Sequence, residues 1–207
     1  MSEKTLWYIA DPLCSWCWGF SPVIESIRLD YFEQLQVKLV LGGLRTGTKE
    51  TITPKERNRI LHHWQAVRYL TDQKFQFEGA MPEGFIYDTE PTSRGLIAVS
   101  LIKPEIIFPF LKAIQSAFYT ELKDVTKFDV LAQLAVNMGV SAEKFLEVYE
   151  SSEAKIQTRA HFNRVHRWGV NTFPSLVAQD ASSHKVLTRG YCSSEELRLR
   201  IDNWLEI

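Results

Sequence analysis

Near the N-terminus the chain reads Asp11-Pro12-Leu13-Cys14-Ser15-Trp16-Cys17-Trp18-Gly19-Phe20. Cys14 and Cys17 are three positions apart, so their thiols can close a small disulfide ring and open it again. The apolar run Leu6–Ala10 precedes them and predicts a buried strand, whereas the residues that follow have helical spacing. Two thiols between a strand and a helix indicate electron-transfer chemistry, and nothing else in the chain suggests a reaction as strongly.

The segments on either side of the cysteines predict a β–α–β unit. After the first strand, a helix is expected to begin near Cys14 and to run to about Phe32. A second strand is expected over Val37–Leu41. Consecutive strands joined by a helix are parallel, with a right-handed crossover between them.

The rest of the chain divides into a helical block and a C-terminal strand region. Residues 46–165 have the pattern of consecutive helices with short loops. Strands return at Ser175–Gln179 and Lys185–Thr188, with Ala181–His184 as a predicted hairpin turn between them. A capping box that begins at Ser193 opens an amphipathic C-terminal helix.

This order of elements predicts two structural parts. Residues 1–45 and 166–207 together form a discontinuous α/β domain with one sheet, because neither half has enough strands to be stable alone. Residues 46–165 form an inserted helical domain. Capping residues are predicted to begin helices inside the insertion, and they are Thr53 with Glu56, Thr126 with Asp129, and Ser141.

Composition and charge exclude several function classes. Hydrophobic residues make up 45% of the 207 positions and the net charge is −1, which is typical of a globular protein and argues against broad electrostatic binding of nucleic acid. No segment reaches the roughly 18 apolar residues of a membrane span, and Leu6–Ala10 is too short for the core of a secretory signal. Because the sequence shows neither a signal core nor a membrane span, we expect a cytoplasmic protein. Three cysteines, an odd number, make no disulfide scaffold, and in a reducing compartment a CxxC pair is more often catalytic or metal-binding than structural.

The motif and the order of elements resemble the DsbA-like family, which has a thioredoxin fold with a large all-helical insertion. The segment Asp11–Phe20 is similar to the motif of a cytosolic subgroup related to FrnE. Gly169–Leu176, with the sequence Gly-Val-Asn-Thr-Phe-Pro-Ser-Leu, resembles the second signature of the fold, in which a cis-proline precedes the third strand. The resemblance covers essentially the whole chain. It implies a thiol–disulfide oxidoreductase or isomerase that acts on protein or peptide thiols and disulfides.

Two residues carry the predicted reaction. Cys14 is expected at the N-terminus of its helix, where free N–H groups and the helix dipole favour a thiolate, so we assign it as the nucleophile. Cys17, one turn further and away from solvent, is assigned as the resolving cysteine that attacks the mixed disulfide at Cys14. No cofactor beyond this redox-active pair is expected, and glutathione is a candidate electron donor or acceptor.

Substrate binding is predicted at Trp16 and at the second signature. Trp16 offers a flat apolar surface to an unfolded peptide, whereas Trp18 is expected in the core. The resemblance implies that the peptide bond before Pro174 is cis and that Thr172, Phe173 and Pro174 lie in a groove beside the sulfurs. Because the dipeptide between the cysteines carries no positive charge, we predict a milder oxidant than periplasmic DsbA, or a reductase or isomerase.

One departure from the family concerns proton transfer. Thioredoxins and DsbA carry a buried acid six residues before the first cysteine, where it helps to move the proton of the second. Tyr8 occupies that position here. Glu25, on the same helix as the cysteines, is a candidate substitute, and a solvated position on the helix face is the alternative.

Two other function classes stay open. Kappa-class transferases and related glutathione-dependent isomerases share the inserted fold, but they place a serine where Cys14 stands, which argues against that class. In a metal-responsive binding module, Cys14 and Cys17 would form half of a zinc site, completed by Cys192 and a histidine. The candidate histidines are His62, His63, His161, His166 and His184. The sequence contains no second pair of cysteines with ligand spacing.

Overall fold

The computed structural model describes residues 4–180 and 183–206, and in this part of the chain four strands form one mixed sheet. The strands are β1 (Thr5–Ala10), β2 (Gln36–Leu41), β3 (Ser175–Gln179) and β4 (His184–Arg189), in the order β2-β1-β3-β4. β1 pairs with β2 in parallel, as predicted, and with β3 in the antiparallel direction, as β3 does with β4. Ala181 and Ser182 of the predicted hairpin turn lie outside the described residues.

The same residues form eight α-helices. They are α1 (Ser15–Asp30), α2 (Pro54–Thr71), α3 (Glu90–Ile102), α4 (Ile107–Tyr119), α5 (Phe128–Asn137), α6 (Ala142–Glu150), α7 (Ser152–Arg167) and α8 (Ser194–Leu205), with a short 3₁₀ turn at Pro104–Ile106. In sequence, α1 lies between β1 and β2, and α2 to α7 lie between β2 and β3, which is the predicted order. None of these helices is both long and apolar enough to cross a bilayer.

Side-chain caps determine where several helices begin. The predicted capping box of α2 is confirmed: the Glu56 N–H donates to Thr53 Oγ1 at 3.2 Å, and the Thr53 N–H donates to Glu56 Oε2 at 3.1 Å. Ser141 and Ser193 likewise accept backbone N–H groups in the first turns of α6 and α8. Only this half of the predicted capping box at Ser193 forms, because the Glu196 carboxylate pairs with Arg200 instead. These capping hydrogen bonds satisfy donors that the helix itself leaves unpaired.

One predicted cap is wrong. α5 begins after Lys127, which is its N-cap residue, so Thr126 lies outside the helix. The Thr126 hydroxyl donates instead to Asp124 Oδ1 at 2.5 Å. A short polar side chain can form a hydrogen bond within its own loop as readily as at a helix end, and Thr126 binds within its loop.

Both faces of the sheet are covered, because side chains alternate along its strands. Leu6 and Tyr8 of β1 belong to the large hydrophobic core that includes residues of α1 and α8. Ile9 belongs instead to a smaller cluster with Val40 of β2 and Val165 of α7. The first strand is therefore central and buried, as its apolar sequence predicts.

The helical segment contributes to the large core instead of forming a separate one. Trp64 of α2 is fully buried, with its ring centroid 5.7 Å from that of Phe118 and 5.0 Å from that of Tyr119. Tyr119 in turn stacks on Trp18 of α1, with centroids 6.1 Å apart. The division into a domain and an insertion at 46–165 stays a prediction, and its second boundary falls inside α7.

Candidate active site

The two cysteines of the CxxC motif lie at the start of α1. Cys14 is the N-cap residue, with extended backbone angles (φ −85°, ψ 114°), and its carbonyl accepts the N–H of Trp18 at 3.1 Å. A turn closed by the Cys14 N–H and the Asp11 carbonyl, at 3.1 Å, leads from β1 into the helix. Cys17 lies in the first turn, and its thiol contacts the side chain of Cys14. Both thiols are free.

The two thiols differ in their access to solvent. Cys14 is 7% exposed, whereas Cys17 is fully buried. Burial raises the pKa of the Cys17 thiol, the neighbouring Cys14 raises it further, and the backbone N–H of Asp11 acts in the opposite direction. A substrate can therefore reach Cys14, while the contact available to Cys17 is Cys14 itself.

The second signature lies across from the dithiol. The Phe173–Pro174 peptide bond is cis. The Phe173 carbonyl accepts a hydrogen bond from the Cys14 thiol, with a sulfur–oxygen distance of 3.5 Å. Pro174 is buried, and its carbonyl accepts the N–H of Gly190 at 2.8 Å, which holds the loop against the end of β4. The backbone of Phe173 thus faces the accessible sulfur.

A cavity of about 450 Å³ opens beside Cys14. Trp16, Thr172 and Phe173, three of the four predicted substrate-binding residues, line it together with Cys14. Pro174, the fourth, lies outside this lining because it is buried behind the loop. The cavity brings the CxxC motif and the second signature into one site.

Basic side chains that the sequence motifs do not predict line the same cavity. They are Arg45, from the loop before α2, and Arg59 and His63, one turn apart on one face of α2. Arg45 also pairs with Glu56, at 3.7 Å. Among the described residues, no Asp or Glu lines the cavity. The sequence shows these residues on an amphipathic helix, but nothing in it says that the polar face turns toward the dithiol.

Asp11 opens the segment that carries the CxxC motif, and the sequence motifs predict no role for it. Its side chain is fully buried, and its carboxylate accepts the N–H of Leu13 at 2.9 Å and the N–H of Leu44 at 2.7 Å. Burial raises the pKa of Asp11 to about 6. The carboxylate joins the loop before Cys14 to the loop that carries Arg45. An acid directly after a buried strand and three residues before a cysteine was the available signal.

Tyr8, which stands where related proteins carry a buried acid, lies close to the resolving cysteine. The Tyr8 hydroxyl is buried and faces the Cys17 thiol, and burial, with the two cysteines, raises the pKa of Tyr8 well above its usual value. Glu25 does not lie beside the sulfurs. It is half exposed and forms an ion pair with Lys112 of α4, with an Nζ–Oε2 distance of 2.7 Å.

The two tryptophans of the motif have different environments. Trp18 is buried, as predicted, and its indole N–H donates to the carbonyl of Lys74 at 3.0 Å. Trp16 is half-buried, and its ring centroid lies 6.0 Å from that of Tyr191. Trp16 therefore keeps part of its surface open to the cavity.

The third cysteine and His161 have structural surroundings of their own. Cys192 is buried just before α8, and burial raises the pKa of its thiol to about 11. His161 Nδ1 accepts the N–H of Leu41 at 3.2 Å, and burial lowers the pKa of its ring to about 4. Across residues 4–180 and 183–206, no three His, Cys, Asp or Glu side chains are grouped so that they could hold a metal ion.

Two solved structures are similar to the chain over nearly its whole length. One is a candidate protein disulfide isomerase from Nitrosomonas europaea, with a TM-score of 0.95 and 50% identity, covering 99% of this chain and 98% of that one. The other is the cytosolic disulfide reductase DsbM from Pseudomonas aeruginosa, with a TM-score of 0.79 and 26% identity, covering 98% of each chain. DsbM has also been solved with GSH.

A family profile and curated relatives add to this comparison. The profile described as Thioredoxin matches residues 7–196. The ClpXP adapter protein SpxH from Halalkalibacterium halodurans is 21% identical over 173 residues, which are 81% of this chain. The match covers 56% of SpxH, so the chain spans a little over half the length of the curated relatives that it resembles.

Proposed function

The chain belongs to the thioredoxin family, and on this premise we propose that it is a thiol–disulfide oxidoreductase with Cys14 and Cys17 as its redox-active pair. Its fold class is the predicted one, an α/β thioredoxin fold of the DsbA-like arrangement. One observation carries the proposal: the accessible Cys14 thiol contacts both the buried Cys17 thiol and, at 3.5 Å, the Phe173 carbonyl beside an open cavity.

The geometry supports a two-step exchange. Cys14, as thiolate, attacks a substrate disulfide, so that one substrate sulfur becomes bonded to Cys14 and the other leaves as a thiol. Cys17 then attacks Cys14, the bond to the substrate breaks, and the intramolecular disulfide forms. Two electrons pass from the dithiol to the substrate, and the reverse sequence oxidises a substrate dithiol. An extended substrate segment can pair with the backbone of Phe173 while the sulfurs react.

The cavity favours small anionic disulfides and thiols among the substrates. Arg45, Arg59 and His63 line the cavity beside Cys14, and the lining contains no acid among the described residues. Glutathione carries two carboxylates and fits this charge pattern, and the similar protein DsbM has been solved with GSH. We therefore propose glutathione as the electron donor or acceptor, with protein disulfides as the substrates that are reduced or isomerised. The name of DsbM supports a cytosolic site for the reaction.

An insulin-reduction assay with glutathione as the reductant tests the proposal. We expect turnover by the wild type, loss of at least about 100-fold in Cys14→Ser, and a trapped mixed disulfide in Cys17→Ser. Cys192→Ser is the matched control and should keep the wild-type rate, because Cys192 does not line the cavity. Unchanged turnover in Cys14→Ser would contradict the proposal.

A second candidate is a glutathione-dependent isomerase or transferase of the kappa-like type. The basic cavity favours it, because such an enzyme also needs to hold glutathione beside its reactive position. The assay that separates the two is glutathione conjugation by Cys14→Ser. Conjugation that survives this change would favour the second candidate, since a transferase does not need a redox-active cysteine pair.

A further inference from the structure

The buried thiol of Cys17 needs a route for its proton. Cys17 is fully buried, and burial raises the pKa of its thiol. A thiol attacks a disulfide as the thiolate, so the proton must leave before or during the attack on Cys14. Solvent does not reach Cys17 directly, and the acid that related proteins place at position 8 is a tyrosine here.

Tyr8 connects Cys17 to a second cleft. The Tyr8 side chain is 1% exposed, and its hydroxyl faces the Cys17 thiol. Tyr8 also lines a cleft of about 150 Å³ between α1 and α4, together with Glu25 and Lys112. No residue of this lining also lines the cavity beside Cys14. The cleft is thus a separate approach to the dithiol.

Two buried polar atoms at this cleft have no nitrogen or oxygen hydrogen-bond partner among the described residues. They are the Tyr8 hydroxyl and Nε2 of Gln115, whose side chain is 1% exposed. Buried polar groups in native proteins are paired, with ordered water where no protein group is in reach. A single water needs only roughly 15 Å³ of accessible space and two or more polar partners, and this cleft provides both. Water in the cleft would satisfy both atoms.

Charged groups stand where the cleft meets solvent. Glu25 and Lys112 form the 2.7 Å ion pair described above, and both are half exposed. Arg28 lies over the ring of Phe108, 3.9 Å from its centroid. The titratable and charged groups around this cleft are the two cysteines, which face Tyr8 at its inner end, and Glu25, Arg28 and Lys112. Asp11 does not line the cleft, but its buried carboxylate also raises the pKa of Cys17. Glu25 is the one carboxylate among the described residues that line the cleft.

We infer that this cleft is the proton path of the resolving cysteine, with Tyr8 as its inner relay and Glu25 as the acceptor at the surface. When Cys17 attacks, its S–H proton passes to the Tyr8 oxygen while the Tyr8 O–H proton passes through water in the cleft to Glu25, so Tyr8 is neutral before and after. Glu25 then releases the proton to solvent. The Cys17–Cys14 bond forms, the bond from Cys14 to the substrate sulfur breaks, and the substrate thiolate takes a proton from solvent. The dithiol is oxidised and the substrate disulfide is reduced.

The experiment separates the two steps of the exchange, on which the inference rests. Reduced protein is mixed with oxidised glutathione, and the mixed disulfide and the intramolecular disulfide are followed by acid quench and mass spectrometry. The Cys17→Ser background isolates the first step. We expect Tyr8→Phe to leave that first step within about twofold of its rate. With both cysteines present, Tyr8→Phe should slow the second step at least about tenfold at pH 7, and the rate should recover as the pH rises.

Tyr119→Phe is the matched control. Tyr119 is also buried, its hydroxyl also has no nitrogen or oxygen hydrogen-bond partner among the described residues, and both cysteines contribute to raising its pKa. Unlike Tyr8, it does not line the cleft. We expect Tyr119→Phe to leave the rates of both steps within about twofold of the wild type. If removal of any buried hydroxyl slowed the second step, Tyr119→Phe would slow it as well. Equal slowing of the second step by Tyr8→Phe and Tyr119→Phe would overturn the inference.

Two further variants cover the case in which Tyr8→Phe does not fold. Glu25→Gln is a surface change, and Gln115→Met removes the second polar partner of the cleft water. Both should slow the second step, by about threefold or more, and spare the first. Wild-type resolution in Tyr8→Phe, or in both of these variants, would overturn the inference. If the wild type forms no mixed disulfide at all, the proposed function fails instead.

Discussion

Asp11 shows what a single buried carboxylate does in this site. Its oxygens accept the N–H groups of Leu13 and Leu44 at 2.9 and 2.7 Å, which fixes two loops around the dithiol. Burial nevertheless raises the pKa of Asp11 from 3.8 to about 6, because the hydrogen bonds only partly replace the lost hydration. Near neutral pH, the ionised Asp11 carboxylate therefore lowers the free energy of unfolding, although its hydrogen bonds hold the two loops in place.

We predict that Asp11 makes the reduced protein less stable as the pH rises from about 4 to about 6. In this window the unfolded chain has released the Asp11 proton and the folded protein still holds it, so the free energy of unfolding falls with pH. The shift from 3.8 to about 6 corresponds to about 3 kcal/mol. Urea unfolding of the wild type and of Asp11→Asn across this pH range gives the free energy of unfolding of each. The change with pH in the difference between the two free energies measures the contribution of Asp11. A wild type that becomes more stable relative to Asp11→Asn as the pH rises would contradict the raised pKa of Asp11.

At the level of elements, the end of β2 determines where the second signature lies. Gly42 follows β2, and a Cβ atom at this position would be 2.4 Å from two ring carbons of Phe173. The glycine therefore allows the ring of Phe173 to pack against the end of the strand. The carbonyl of the same residue contacts Cys14 at 3.5 Å, so strand packing and site geometry are coupled.

Gly42→Ala should therefore lower the rate of disulfide reduction by more than the loss of folding stability alone would cause. We expect a loss of about 1–3 kcal/mol in the free energy of unfolding, as for other overpacked sites, and a fall of at least about fivefold in the rate of disulfide reduction. Gly19→Ala is the control, because its Cβ would meet Val67 Cγ1 at 2.6 Å, between α1 and α2 and away from Phe173. Equal losses of activity in the two variants at equal stability would contradict the coupling.

At the level of the whole molecule, charge is distributed unevenly. The chain has a net charge of −1 with histidines counted as neutral, yet two arginines, Arg45 and Arg59, line the cavity beside Cys14. Attraction of an anionic substrate is then a local effect and not a property of the overall charge. Local fields of this kind act over about 8 to 10 Å at ordinary salt concentrations.

We predict that Arg59→Gln with His63→Gln slows reaction with oxidised glutathione about tenfold and leaves reaction with the neutral hydroxyethyl disulfide within about twofold. The rate with oxidised glutathione in the wild type should also fall as salt is added. Stopped-flow fluorescence of the motif tryptophans follows both reactions. An equal loss with the two disulfides would show that the basic residues act through structure and not through charge.

The fold was predictable where the signal is local. The spacing of Cys14 and Cys17 after an apolar run is typical of a strand that leads into a helix, and Thr53 with Glu56 predicts the start of α2 from four residues. Thr126 failed as a cap because its hydroxyl had a nearer partner in Asp124, a choice that sequence does not reveal.

The site was predictable only in part, for a related reason. Cys14, Trp16, Thr172 and Phe173 line one cavity, as the two motifs together predict. The basic residues of α2 and the buried carboxylate of Asp11 depend on how distant segments pack, and no local pattern encodes that packing.

The most direct test of the proposed redox-active pair is the equilibrium between the dithiol and the disulfide of Cys14 and Cys17 in glutathione buffers of known ratio. Peptide mapping of each equilibrated sample should show one intramolecular bond between these residues, with Cys192 still free. The midpoint should be more reducing than the value of about −120 mV for DsbA, because the intervening dipeptide is uncharged. A Cys14–Cys17 bond that never forms, or a midpoint as oxidising as that of DsbA, would contradict this description of the protein.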